Sequence, residues 1–366
     1  MSGARPAFHN PTIHGARGLF ALAVLIFHVA NYELPNFAWA EAAIGRFVLV
    51  SLQHGVDLFF AISGFVILGA LRRAPSVPRF LLDRAIRIYP VLWASILAVI
   101  AFGVLARRRE FAALAPGDIL AQLPLDLLPI SGVWPVVPFH RPAWSLAYEA
   151  VFYALLAAVW AARPVLGARA ATAGGVALAV LLVLIFPRAA FFLVGLAVAE
   201  GLVARRPPAL GLARWPTPWL LLCFALLGAM DPAAMNRGLS APFAWLADPS
   251  QPLLLAGALL AGTIAFRGLI EGQGGLGHLL RTTPLQWCGT VSYSLYLWHL
   301  PVLGVVRMAL VASGLAAAAG PWATLLLLLI GLPLSLLVSA VSHRVLEDGA
   351  GRRLRARLGA ARPAPA

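Results

Sequence analysis

Apolar runs of around twenty residues, nearly free of charge, recur along the whole chain between short polar segments. They fall near 16–34, 47–71, 88–106, 144–162, 171–187, 189–204, 217–230, 252–270, 290–313 and 322–343. A run of this length is what a helix needs to cross the hydrocarbon layer of a bilayer. The pattern predicts ten membrane-spanning helices in an all-α polytopic bundle, with the sixth and seventh the shortest. Pro187 in FPRAA marks a tight connection between the fifth and sixth. A longer stretch, 107–143, breaks the rhythm; it is rich in proline, carries Trp134, Phe139 and His140, and reads as a folded cap over one face of the bundle. The spanning pattern gives a membrane domain over 1–346. Residues 347–366 are basic and of low complexity, and predict a disordered or surface-lying tail that touches anionic lipid. No inverted repeat of the kind that marks many transporters is visible.

Composition sharpens this picture. The chain is 61% hydrophobic and 11% charged, with a mean hydropathy of +0.86, far from the soluble globular range. All 28 basic residues are arginines, against 14 acids. With the N-terminus in the cytoplasm, 20 of them lie in inner segments, Arg5, Arg205, Arg206 and Arg362 included. That bias places both termini in the cytoplasm; Arg107, Arg108 and Arg109, at the start of the long outer loop, run against it. The arginines sit in short connectors and not along one polar face, which excludes a nucleic-acid footprint. Cys223 and Cys288 have neither CxxC spacing nor a nearby histidine, so neither a disulfide nor a zinc site is expected. The run Leu19 to Ala30 lacks a small-residue cleavage site and reads as a retained first span.

The few charges inside the spans are the candidates for chemistry. In the first, Arg17 and His28 are eleven residues apart, within about 20° of three full helical turns and separated by roughly 16 Å along the axis. Both therefore share a face, the arginine at the headgroups and the histidine near mid-bilayer, where an ionisable group marks function. In the second span His54 and Asp57 are three apart, placed for the carboxylate to hold or polarise a histidine, or to make an interhelical bond. Ser63 and Gly64 follow as small packing residues. Before the third span, Arg84 and Arg87 form an i, i+3 pair at the membrane entrance, suited either to grip a phosphate or to anchor the helix. In the fourth, Trp144, Ser145 and Tyr148 lie near the outer interface, and Glu149 stands one turn further in, where an acid must be paired or line an aqueous cavity. VSYSLYLWH in the ninth run carries Tyr293, Tyr296, Trp298 and His299, with packing and function both open for the histidine.

Taken together, these stretches resemble the acyltransferase 3 family of polytopic membrane acyltransferases. HGARGLFALAVLIFH matches its Arg-x10-His pattern, GVDLFFAISGFVI its second-span signature, and RAIRIYP its RxxR motif. WSLAYEAVFY is similar to its WSLxxE segment and VSYSLYLWH to its penultimate-span motif. The five run in order from residue 14 to residue 299. The resemblance implies transfer of an acyl group, most often acetyl from cytoplasmic acetyl-CoA or another acyl-CoA, onto a hydroxyl of a sugar, polysaccharide or glycosylated acceptor, by a multi-pass protein of the bacterial inner membrane. It implies no bound cofactor and no metal. Carried over residue by residue, it makes His28 the essential histidine and Arg17, Arg84 and Arg87 the charges on the CoA phosphates. Glu149 becomes an acid of the site; beside the resemblance, Asp57, the carboxylate placed to polarise a histidine, is a further catalytic candidate, and Trp144 and Tyr148 are acceptor-side candidates. Two departures stand out: Tyr148 replaces the small or acidic residue often beside that glutamate, and no SGNH-type domain follows the last span, so the membrane domain alone would reach the acceptor. The chemistry agrees, because a hydroxyl attacking a thioester needs a near-neutral base, and an imidazole supplies one. The alternative is a proton-coupled transporter or flippase in which His28, Asp57 and Glu149 form a relay.

Overall fold

A computed structural model describes residues 10–128, 130, 133–134, 136–203, 211–236 and 238–358. The arginines counted above at 5, 205, 206 and 362 lie outside these residues. Among the described residues there is no strand, and the chain is a helical bundle throughout. Ten helices correspond to the ten apolar runs: α1 (Pro11–Ala30), α2 (Gly55–Arg73), α3 (Val77–Leu105), α4 (Ala143–Leu166), α5 (Ala168–Ile185), α6 (Ala190–Ala199), α7 (Pro216–Gly228), α8 (Ser250–Glu271), α9 (Thr283–Ala312) and α10 (Ala323–Ser342). Eight segments are long and apolar enough to cross a membrane. The other two are α6 and α7, of 10 and 13 residues, so α6 is about 15 Å long and too short to cross alone.

Local chemistry sets where these helices begin. Asn10 caps α1, its side chain accepting from the backbone N–H groups of Thr12 and Ile13, with Pro11 at the first helical position. Ser76 does the same for α3, accepting from Arg79 N–H. Two close helix pairs depend on glycine. A Cβ at Gly18 of α1 would come within 2.6 Å of the Leu285 carbonyl oxygen, and one at Gly289 of α9 within 2.1 Å of that of His14. A Cβ at Gly64 or Gly195 would similarly strike backbone of the facing helix, so α2 and α6 also meet backbone to backbone.

The first span is shifted from its expected position. The sequence places it at 16–34, but α1 starts at Pro11 and ends at Ala30, where the chain turns into NYELPN. Arg17 is therefore about 9 Å inside the helix and His28 within its last turn, packed against His299 of α9. The far C-terminal boundary also differs. Beyond α10 the backbone continues as a π-helical stretch, His343–Ala350, and an α-helix, Gly351–Arg357. The tail expected from 347 onward is thus helical to Arg357, and its remainder lies outside the described residues. Composition changes at 347, but Glu347 accepts a hydrogen bond from Ser294 Oγ (2.6 Å), which holds the helix to α9.

Asn10 Nδ2 donates to the Ile270 carbonyl (2.7 Å) and Gln286 Nε2 to that of Pro11 (2.6 Å). With Glu347 these contacts set the first and last described residues at one end of the bundle, here termed the terminal end. At the opposite, loop end, Tyr32 OH donates to the Leu300 carbonyl (3.1 Å) and Thr324 Oγ1 to that of Pro35 (3.0 Å). The long connection expected to be a cap is folded there. It carries helices Arg109–Ala112 and Pro116–Leu127. Trp93 Nε1 donates to the Leu127 carbonyl (2.9 Å), and Asp126 Oδ2 accepts from the Phe139 backbone N–H (3.1 Å). Cys223 and Cys288 are free and buried.

Candidate active site

At the terminal end, α1, α2, α3, α4 and α9 enclose a cavity of about 720 Å³, a size typical of small-molecule and cofactor sites. Arg17, Arg84, Arg87 and Glu149, drawn from three helices, all line it. Among the described residues, none of the three guanidiniums has a carboxylate within ion-pair distance, and the buried Nε of Arg84 has no hydrogen-bond partner. The arginines of the lining outnumber its acids, Asp83 and Glu149, and an excess of positive charge in a cavity is costly unless an anion occupies it. Arg73 and Arg79 also line the cavity, and Arg79 Nε meets Asp83 Oδ2 at 3.2 Å.

Glu149 is held rather than loose. Ser63 Oγ donates to its Oε1 at 2.8 Å, and Tyr153 OH donates to the same oxygen. The hydroxyl of Ser63 therefore does more than permit close packing. Tyr293, also in the lining, donates to the Ile88 carbonyl (2.7 Å), fixing α9 against the helix that carries Arg84 and Arg87. The lining closes with Ser145 and Tyr296, whose hydroxyls share a 2.7 Å hydrogen bond. Tyr296 OH also donates to the Pro142 carbonyl (3.2 Å).

His28 does not line this cavity. It lies beyond Tyr296, with its ring centroid 5.1 Å from that of His299, which in turn is 6.1 Å from that of Tyr296. His299 Nδ1 donates to the Leu295 carbonyl (3.0 Å), so its Nε2 carries the lone pair, and that nitrogen is buried without a partner. His140, delivered by the loop-end cap, is 2% exposed and joins the same group. Burial, with His299 beside it, pushes the His140 imidazole down to about 3, so it is neutral near pH 7.

Asp57 lies apart from the cavity lining. Its Oδ1 accepts from Arg188 Nε (2.8 Å), and its Oδ2 from Arg188 Nη2 (2.9 Å) and His54 Nδ1 (2.8 Å). The expected His54 contact is present, but the main partner is Arg188, 131 residues away, which the sequence had shown only as part of a connector. Two apposed N–H donors on a carboxylate are the strongest pairing available to it. The Arg188 guanidinium also lies over the Trp144 ring, 4.7 Å from its centroid. Tyr148 stacks on Phe60 at 5.8 Å and meets Phe186 edge-on at 5.1 Å. Trp144 and Tyr148, expected on the acceptor side, are thus outside the cavity lining, in the aromatic wall around Phe60. Among the described residues no hydrogen bond joins any two of His28, Asp57 and Glu149, and no group of three or more ligands is placed to hold a metal ion.

A family profile described as "Acyltransferase domain" matches residues 10–344. The chain is 32% identical over 349 residues to "Exopolysaccharide production protein ExoZ" of Rhizobium meliloti, a match covering 91% of this chain and 96% of that protein. It is 26% identical over 346 residues to "Peptidoglycan O-acetyltransferase OatA" of Listeria monocytogenes, covering 80% of this chain but 49% of that protein, so the chain spans about half of OatA. "Acyltransferase MdmB" of Streptomyces mycarofaciens is 31% identical over 150 residues, 39% of this chain and 37% of that one. No solved structure matches.

Proposed function

Because the chain belongs to the acyltransferase 3 family, we propose that it is a membrane O-acyltransferase, carrying an acetyl or related acyl group from acyl-CoA to a hydroxyl of a sugar or polysaccharide. The observation that carries the donor assignment is the convergence of Arg17, Arg84 and Arg87, without carboxylate partners among the described residues, on one cavity. Coenzyme A presents a phosphate and a pyrophosphate, which guanidiniums recognise by paired N–H donors. Its pantetheine arm would run along the cavity toward Ser145 and Tyr296, bringing the thioester toward His28. The terminal end then faces the cytoplasm of a bacterial inner membrane, where acyl-CoA is made, in keeping with the arginine bias.

The reaction needs little beyond positioning, a base and a donor for the developing oxyanion, because a thiolate leaves readily. The acceptor hydroxyl gives up its proton to the neutral imidazole of His28 as its oxygen bonds the acyl carbon, and the carbon–sulfur bond breaks to release CoA thiolate, which takes up a proton. In the two-step variant, His28 accepts the acyl group first and passes it on. A sugar-polymer acceptor is supported by the similarity to the exopolysaccharide and peptidoglycan proteins.

The test is transfer of labelled acetyl from acetyl-CoA in membranes holding the wild type or His28→Ala. Transfer should vanish in the variant while acetyl-CoA binding and the unfolding midpoint persist. An active variant would remove both roles given to His28.

A further inference from the structure

The histidine group at the loop end contains more than the reaction uses. His28 comes from α1, His299 from α9 and His140 from the cap, three stretches far apart in the chain. His299 spends its Nδ1–H on the carbonyl one turn back in its own helix, and its Nε2 is left bare at 1% exposure. His140, from the cap, likewise leaves a buried Nε2 with no partner. The cap is braced to press it inward: the Phe139 N–H is held by Asp126 Oδ2 (3.1 Å), and the Phe139 ring packs on Phe111 at 5.3 Å. His299 is fixed by the Leu295 carbonyl in the tautomer that offers a lone pair at Nε2, and His140 sets a second unpartnered ring nitrogen beside it.

A buried ring nitrogen without a partner is costly, so the pair calls for hydrogen-bonding groups from outside the described residues. Carboxylates and phosphates offer acceptors and are unsuited. A hydroxyl donates to a ring nitrogen while its own oxygen stays free for another donor. A metal ion is a poorer match, since the described residues place no three ligands around one point.

We propose that His140 and His299 form a binding subsite for the hydroxyl groups of a polyhydroxylated acceptor such as a sugar ring, beside His28 and at the end of the bundle opposite the arginine-lined cavity. This rests on the acyl-transfer reading above and adds the acceptor's place and mode of recognition. Acceptor and donor then approach from opposite ends, with the Ser145–Tyr296 contact between them. His140 acts on acceptor binding, and the donor arginines are indifferent to it.

The test compares His140→Asn with His140→Gln. The Asn side chain is too short to place a polar atom at the Nε2 position, whereas the Gln carbonyl oxygen can reach that position. The probe is envelope polysaccharide stripped of its acetyl groups with mild alkali, with labelled acetyl-CoA as donor. Asn should raise the KM for the polysaccharide about tenfold, the scale of a lost hydrogen bond to a buried group. The Kd for acetyl-CoA should not change, and Gln should restore most of the loss. An unchanged KM in Asn would overturn the subsite and leave a buried water as the partner of Nε2. A second measurement needs no variant: polysaccharide, but not acetyl-CoA, should slow carbethoxylation of His140 read by mass spectrometry, and equal rates would also overturn it. A wild type that binds acetyl-CoA yet transfers nothing to the polysaccharide would overturn the acceptor class and the subsite with it. Failure to bind acetyl-CoA would strike the donor reading instead.

Discussion

Two groups of arginine in this bundle, one buried and one half-buried, have opposite surroundings. Arg188 is 7% exposed and completely matched: both oxygens of Asp57 accept from it, His54 completes the carboxylate, and Trp144 lies beneath the guanidinium. Arg17, Arg84 and Arg87 have no such acid among the described residues, yet they surround a cavity of about 720 Å³. A charge whose partner is in the chain contributes to the fold. A charge with no ion-pair partner among the described residues is open to one from outside the chain, which is the basis of the donor proposal. The same side chain thus reads as architecture in one place and as a ligand site in the other, and residue type alone does not separate the two.

The contrast can be broken most severely at the matched site. Arg188→Ala leaves Asp57 buried with only His54, and removal of one partner of a buried pair costs about 3–5 kcal/mol. Thermal unfolding in detergent should show that loss, and replacing the pair together with Leu at 57 and Met at 188 should recover much of it. At the unmatched site the sign reverses. Arg84→Met removes a half-buried charge that has no ion-pair partner among the described residues, so the ligand-free protein should be as stable as wild type or more so, by on the order of 1 kcal/mol; a drop like that of Arg188→Ala would merge the two classes. Tyr153→Phe takes one of two donors from Glu149 and should cost about 1 kcal/mol, with acetyl-CoA affinity unchanged by calorimetry. The smallest effect belongs to Arg72, which meets Glu200 at 2.6 Å with side chains 49% and 35% exposed. Arg72→Ala should shift stability by no more than about 1 kcal/mol, showing that proximity without burial counts for little.

Much of this arrangement was legible in the chain, and the remainder hid for definite reasons. Apolar patterning locates all ten helices, and the length a bilayer imposes accounts for eight of the segments but not for α6 and α7. Rotation along one helix relates Arg17 to His28, and both fall within α1, although its caps at Asn10 and Asn31 set the span four to five residues nearer the N-terminus than the apolar run. The meeting of Arg17, Arg84, Arg87 and Glu149 was implied by the family resemblance and not by periodicity, which carries no information between helices. Arg188 was invisible as a partner because it sits in a three-residue turn, 131 positions from Asp57. His140 looked like loop punctuation, since nothing local shows that Asp126 and Phe111 fold its loop inward. Glu347 lay past a change in composition, and only the contact with Ser294 reveals that the helix continues across it.

The central claim is that the unmatched arginines await the phosphates of a CoA donor. Calorimetric titration of acetyl-CoA into the purified protein, wild type against the Arg84→Ala, Arg87→Ala double variant, tests it most directly. Saturable binding by the wild type, weakened by about a hundredfold or more in an equally stable variant, is the predicted result. Equal affinity in both proteins, or no binding by folded wild type, would contradict it.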